Sequence, residues 1–268
     1  MRHFFEEKEG KRREYTVQST VCGESVSCLS YSKCIGRQSV MNDLQGRETK
    51  SQKGMLRLLL LMVISILVGA CHTEGGPVKV RNTSRSFKTV VLDAGHGGHD
   101  SGARTRKGIL EKDLALDVIQ RIAPKLQAAG FRTVLTRNSD VFIPLDDRVR
   151  ISGARHNAIF VSVHFNDAGR KPVVGVESYY FSPESAQLAS RLVRTLSQAT
   201  GSPNRGPRVA RFRVVKMNEN PAVLMECGYL TTAQEAAWVC NPEYRERIAE
   251  GIARGIIEQR GSFSQDVE

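Results

Sequence analysis

Three short stretches carry residues able to bind a metal: Asp93-Ala94-Gly95-His96-Gly97-Gly98, Leu110-Glu111-Lys112-Asp113 and Ser162-Val163-His164-Phe165-Asn166. They offer an imidazole, a carboxylate and an imidazole, each at the edge of a predicted strand or helix. A catalytic zinc ion typically takes three protein ligands of this kind and keeps a fourth position open to water. Two neutral imidazoles and one carboxylate leave the centre positively charged, which acidifies water and polarises an amide carbonyl. Glu226, in Val223-Leu224-Met225-Glu226-Cys227-Gly228, is a carboxylate able to take a proton from that water. Together they predict a metal-dependent hydrolase with Zn2+ as its cofactor.

Taken singly, the same residues admit plainer roles. His96 taken alone reads more readily as a loop histidine bonded to backbone, and His99 in the same loop is the alternative ligand or lies at the rim. A carboxylate in a first helical turn, as at Glu111, is favoured by the helix dipole alone. Glu226 ends an apolar strand, where an unpaired charge is costly, so a salt bridge to arginine competes with a general-base role. Asp93 is placed either to brace the His96 loop or to orient a ligand imidazole.

Hydrophobic periodicity defines the elements that position these residues. Lys88 to Asp93 is a β-branched run ending at a Gly-rich loop, hence a strand. Leu114, Val118, Ile122 and Leu126 recur every four residues with Ile119 beside them, the apolar face of a helix. Pro124 falls inside that helix and predicts a kink in its last turn, and Gly130 is placed to cap it. Further strands are expected over 131–136, 158–164, 175–181 and 221–226. Further helices are expected over 145–156 and 185–198, and from Asn241-Pro242 onward. Alternation of this kind predicts an α/β fold, a three-layer sandwich with a mostly parallel central sheet flanked by helices. Functional loops of such sheets gather outside the carboxyl ends of the strands. His96, His164 and Glu226 all fall there, and Glu111 points back to that edge from its helix start.

In order and spacing these stretches resemble the zinc-dependent N-acetylmuramoyl-L-alanine amidases of the cell-wall amidase 3 family. The resemblance runs from about Lys88 to about Glu258. It includes VVLDAGHGGHDSGA at 90–103, LEKDLALDV at 110–118, VLTRNSDVFIPLDDR at 134–148 and SVHFNDA at 162–168. It continues through GVESYYF at 175–181, RG at 205–206 and PAVLMECGYLT at 221–231. It implies His96, Glu111 and His164 as zinc ligands, Glu226 as the catalytic glutamate and Asn166 as a substrate contact. Ala94 stands where the family often has Pro, Phe165 where it often has Ala, and Asp167 where Ala is usual. The activity implied is hydrolysis of the amide between N-acetylmuramic acid and the L-Ala of peptidoglycan. The alternatives are a zinc peptidase or carboxypeptidase acting on the stem peptide, and a non-catalytic wall-binding lipoprotein on the same fold. The last is disfavoured because no ligand or catalytic carboxylate is lost. Regulated division amidases of the family carry a helical insert after the third ligand that covers the zinc. Here twelve residues separate His164 from Glu177, a connection too short for such a helix, so no activator protein is expected.

The 268 residues suit one globular domain behind an N-terminal extension. Net charge is +11, of which about +3 lies in residues 1–54, with ten Lys/Arg against seven Asp/Glu. A basic surface suits an anionic polymer or membrane, but no nucleic-acid-binding motif accompanies it, and nucleic acid is not expected as a partner. Cys22, Cys28 and Cys34 lack Cys-x-x-Cys spacing, and Cys227 and Cys240 read as buried thiols, with pairing the alternative. Met55 to Cys71 reads MLRLLLLMVISILVGAC. Its uncharged run is shorter than the ~20 residues of a membrane span but has the length of a signal core, with Lys50, Lys53 and Arg57 before it. Val68-Gly69-Ala70-Cys71 resembles a bacterial lipobox, in which the cysteine is lipidated; an ordinary cleaved signal is the alternative. The expected organisation is an unassigned extension at 1–54 (with Met41 or Met55 as alternative starts), a signal and lipobox at 55–71, a linker at 72–87 and the amidase domain at 88–260. That describes an exported periplasmic or cell-envelope lipoprotein with peptidoglycan as its partner and a lipid anchor in the membrane. Seventeen residues from Cys71 to Lys88 reach at most roughly 55–60 Å when extended. Cys71→Ser is expected to release the protein from membranes on fractionation; unchanged membrane association of that variant contradicts lipid anchoring.

Overall fold

The computed structural model describes residues 78–169 and 173–261; the signal-like run, Cys71 and residues 1–54 lie outside these. Six strands are built: β1 (Thr89–Ala94), β2 (Arg132–Leu135), β3 (Ala158–Asn166), β4 (Val176–Tyr180), β5 (Asn204–Val209) and β6 (Ala222–Tyr229). Six helices accompany them: α1 (Glu111–Ala128), α2 (Leu145–Gly153), α3 (Pro183–Thr200), α4 (Arg213–Lys216), α5 (Ala233–Cys240) and α6 (Pro242–Gly261). The strands form one sheet in the order β2-β1-β3-β6-β4-β5. Every pairing is parallel except β4 with β6. The expected mostly parallel α/β sandwich is the observed fold.

The central strands bury both faces, so their sequences read as continuous apolar runs, as parallel sheets require. Side chains still alternate between the two layers. Val90 and Leu92 of β1, Val161 and Val163 of β3, and Val223 and Met225 of β6 join a large core with α1, α3 and α6. Val91, Phe160 and Leu224, one residue out of phase, join a smaller core with Val214 and Val215 of α4. By the same alternation Asp93, Ser162, His164 and Glu226 stand on the thin layer, covered only by the short helices. The fold therefore separates its tasks: one face holds the long-helix core and the other holds the polar residues at the strands' carboxyl ends.

Three elements were not apparent in the sequence. Strand β5 is polar, contains Pro207 and lies at the sheet edge, where a missing N–H is tolerated. Helices α4 and α5 are short, with four and eight residues, too few to display a full periodic face. Helix α1 runs through Pro124 to Ala128, so the proline does not end it. Residues 81–87, read as the end of a linker, pack on the domain. Arg81 bonds Asn220 and pairs with Glu219, Thr83 Oγ1 donates to the Ala158 carbonyl, and Phe87 is fully buried in a stack with Phe131. Cys227 and Cys240 are free thiols; the first is buried and the second only partly.

Helices α3 and α6 approach closely at Gly255. A Cβ there would lie 2.4 Å from Thr195 Oγ1 and 2.9 Å from Leu192 Cδ2. Such overpacking typically costs about 1–3 kcal/mol, against about 0.5–1 kcal/mol regained in helix propensity. Gly255→Ala is thus expected to lower unfolding stability by about 1–2 kcal/mol in denaturant titrations. An unchanged or raised midpoint would show that the helices separate at no cost.

Candidate active site

The carboxyl end of β1 turns into a loop whose backbone is held from below by two arginines. Arg148 of α2, 2% exposed, donates to the carbonyls of Ala94 (2.6 Å), His96 (2.7 Å) and Ile143 (2.8 Å) and to Asp93 Oδ1 (2.8 Å). Arg137 donates to the carbonyls of Ala94, Gly95, Lys112 and Ser139. His96 itself adopts φ +57°, a left-handed conformation that costs a non-glycine residue roughly 1–2 kcal/mol. The two guanidinium groups fix the carbonyls on either side of that strained residue and so aim its ring. Asp93 is the loop brace of the two roles considered for it. It accepts from Arg148, Thr136 Oγ1 and Ser162 Oγ, and burial, which opposes its charge, is outweighed by these partners, holding its carboxyl below the usual range.

The residue that orients an imidazole is Asp100. Its Oδ2 is 2.8 Å from His96 Nδ1, which leaves Nε2 facing inward. A carboxylate four residues beyond a histidine in a Gly-rich loop is a readable signal for such a supporting partner, but one the sequence reading passed over. His99 is exposed and lies against Phe142 at the rim, with ring centroids 4.2 Å apart.

Glu111, the first residue of α1, ties three segments together. Its Oε2 accepts from Ala103 N (2.7 Å), and its Oε1 accepts from Phe165 N (3.0 Å) and lies 2.9 Å from His164 Nδ1. His96 Nε2 is 3.0 Å from the same oxygen. The two imidazole rings meet edge to face with centroids 4.9 Å apart. His164 can lie there because Gly95 has no side chain: a Cβ would sit 2.3–2.6 Å from three atoms of its ring. Glu226 is the register partner of His164 across β3 and β6, so its side chain shares that face. Asn166, at the end of β3, accepts a bond from Asp167 N beside a register shift in the strand.

The electrostatics describe a site that wants a cation. Burial opposes a charge on Glu111, yet His164 and His96 hold its carboxyl far below the usual range. Burial likewise opposes an imidazolium at His96, but Asp100 and Glu111 push its pKa up to about 10. Burial dominates at His164 and keeps it below the ordinary value. Burial, then the negative charges of Glu111 and Glu177, push Glu226 well up. Among the described residues, Glu226 Oε2 is a buried side-chain oxygen without a hydrogen-bond partner, and His96 Nε2, 3.0 Å from Glu111 Oε1, meets that oxygen outside good hydrogen-bond geometry. An unmade bond of this kind costs about 1–3 kcal/mol. His96, Glu111 and His164 present ligand atoms all within 4.8 Å of one another, and this N, O, N donor set fits a divalent metal.

The chain is similar in sequence and fold to known proteins of one family. The family model for N-acetylmuramoyl-L-alanine amidase matches residues 90–258. The amidase LytC of Bacillus subtilis is 33% identical over 69% of this chain, and that stretch is 39% of LytC's own length. The amidase AmiC2 of Nostoc punctiforme superposes with a TM-score of 0.61 at 42% identity, over 63% of this chain and 95% of that one. The CwlD amidase of Clostridioides difficile, solved in complex with the GerS lipoprotein, superposes with a TM-score of 0.63 at 27% identity, over 65% and 99%. A family match across the whole described sheet, with solved amidase folds beneath it, makes the chain a member of the amidase 3 family of N-acetylmuramoyl-L-alanine amidases.

Proposed function

We propose that the protein is a zinc-dependent peptidoglycan hydrolase that cleaves the amide between the lactyl group of N-acetylmuramic acid and L-Ala. The observation that carries the reading is the cluster of His96, Glu111 and His164 ligand atoms within 4.8 Å of one another, beside the unpartnered Glu226 Oε2. His96, Glu111 and His164 would hold the ion. When bound, zinc supplies Lewis acidity toward the carbonyl and toward water.

The chain's own residues do the rest. Asp100 holds the His96 ring by Nδ1, and Phe165 N and Ala103 N hold the Glu111 carboxylate, so the donors are set before substrate arrives. Among the described residues Glu226 pairs with no arginine and its Oε2 has no hydrogen-bond partner, which leaves that oxygen available to a water proton. Glu226 takes that proton as water adds to the carbonyl, then gives it to the departing L-Ala nitrogen. One water is consumed, and a lactyl carboxylate and a free amine are formed.

The catalytic domain would span 88–260 with residues 81–87 strapped to it, and lipidated Cys71 would tether it to a membrane of the cell envelope. Among the described residues no helix is long and apolar enough to cross a membrane. The connection from β3 to β4 is short, which favours an open cleft and hydrolysis without an activator protein.

Glu226→Gln is expected to retain one zinc per chain while turnover on purified sacculi falls about 10²–10⁴-fold. His164→Ala is expected to lose both. Mass spectrometry of the products distinguishes cleavage before L-Ala from cleavage within the stem; wild-type rates for Glu226→Gln would remove it from the mechanism. A second expectation follows from His96. A proton and a metal compete for Nε2, so below a pKa of about 10 each ion bound releases one proton. Apparent zinc affinity then rises about tenfold per pH unit between pH 6 and 8. Calorimetry in buffers of different ionisation enthalpy reads the proton directly, and metal binding without proton release contradicts this assignment.

A further inference from the structure

Beside Glu226 lies a second carboxylate of opposite character. Glu177 of β4 is its register partner across β6, so the two project to the same face. Glu177 is fully buried and saturated with donors. Tyr229 Oη donates to Oε1 at 2.7 Å, Tyr179 Oη donates to Oε2 and Arg205 Nε donates to Oε1. Arg208 Nε stands 3.8 Å from Oε2. Both arginines come from edge strand β5, whose only sheet neighbour among the described residues is β4. Two guanidinium groups thus face one buried carboxylate. Arg205 is 31% exposed and stacks toward the Tyr229 ring; Arg208 is 47% exposed and makes no close bidentate pair. Glu177 accordingly acts as a buried anchor that turns guanidinium groups outward beside the reaction centre.

From this geometry we infer that Arg208, supported by Arg205, binds a free carboxylate of the peptide on the leaving side of the scissile amide. The inference rests on the amidase reading. Its metric is simple. Glu177 and Glu226 lie about one strand spacing of 4.8 Å apart, and Arg208 Nε stands 3.8 Å from Glu177, so the guanidinium groups lie on the order of 10 Å from Glu226. In a stem beginning L-Ala-γ-D-Glu, the α-carboxylate of the second residue follows the scissile bond by about two residue lengths, roughly 7 Å. A guanidinium fork matches a carboxylate, and an exposed group of this kind discriminates a carboxylate from its amide by charge as well as by shape.

The test uses the full-length zinc-loaded protein and two N-acetylmuramoyl tripeptides, L-Ala-γ-D-Glu-L-Lys with the α-carboxyl of the second residue either free or amidated. The wild type is expected to show about tenfold higher kcat/KM for the free acid. In Arg208→Gln that ratio should fall to about one, and Arg208→Lys should restore part of it. Arg213→Gln, whose partner is Asp146, should keep the wild-type ratio and so exclude diffuse attraction to a basic surface. A merely structural Arg208 would slow both substrates equally and preserve the ratio, which overturns the inference, as does a wild-type ratio near one. Loss of retention on teichoic-acid-bearing walls with an unchanged tripeptide ratio also overturns it and assigns the arginine to a wall polymer. Binding of the two free tripeptides, measured by calorimetry, stands apart from turnover. If neither muramyl substrate is cleaved, the amidase reading fails, while tighter binding of the free-acid tripeptide, lost in Arg208→Gln, still upholds the carboxylate subsite and equal binding refutes it.

Discussion

The buried ion pair between Asp93 and Arg148 is the constraint on which the site depends. Both side chains are almost wholly excluded from water, at 1% and 2% exposure. Such a pair is a weak source of net stability, because desolvation offsets the attraction. Its value here is geometric. Arg148 reads the carboxylate of the last part of β1 and the carbonyl of His96 with one rigid guanidinium, so strand end and loop are set in a single act. The left-handed turn at His96 is strain of the kind that persists only when its surroundings over-determine it. Removing Arg148 would leave Asp93 charged and buried and the loop free to relax together.

The same face shows how one scaffold gives two neighbouring glutamates different tasks. Glu177 receives hydroxyls and guanidinium groups and stays anionic, with burial outweighed by Tyr179, Tyr229 and Arg205. Glu226 receives nothing at Oε2 and is pushed toward holding a proton. Carboxyl groups whose environments drive their affinities for protons apart take distinct roles. In this protein the difference comes from strand position. Glu226 stands mid-sheet between His164 and Glu177, and Glu177 stands within reach of the edge strand and its arginines.

The layers of the fold and the convergence of His96, Glu111, His164 and Glu226 were legible because both follow from local pattern. β-branched runs ending in glycine gave strand ends, and the four-residue spacing of Leu114 to Leu126 gave the helix that carries Glu111. What stayed hidden depends on contacts between distant segments. Nothing in the neighbourhood of Arg148 or Arg137 announces that they grip a loop some fifty residues earlier in the chain. β5 was invisible because an edge strand facing water has no apolar alternation to display. Asp100 sat in plain view, four residues beyond His96, yet its role becomes apparent only when the His96 ring direction is fixed.

The strand order carries a consequence for how such a protein comes into being. β6 lies between β3 and β4 although it is the last strand to leave the ribosome. Until it inserts, the sheet is two fragments with open edges, since among the described residues only β6 joins β3 to β4. Long-range insertion of this kind is slow, because chain entropy must be lost before the contacts form. β6 also brings Glu226. A chain without β6 therefore lacks both Glu226 and the partner strand of His164. Completion of the sheet and the arrival of Glu226 beside His164 and Glu177 are therefore one event.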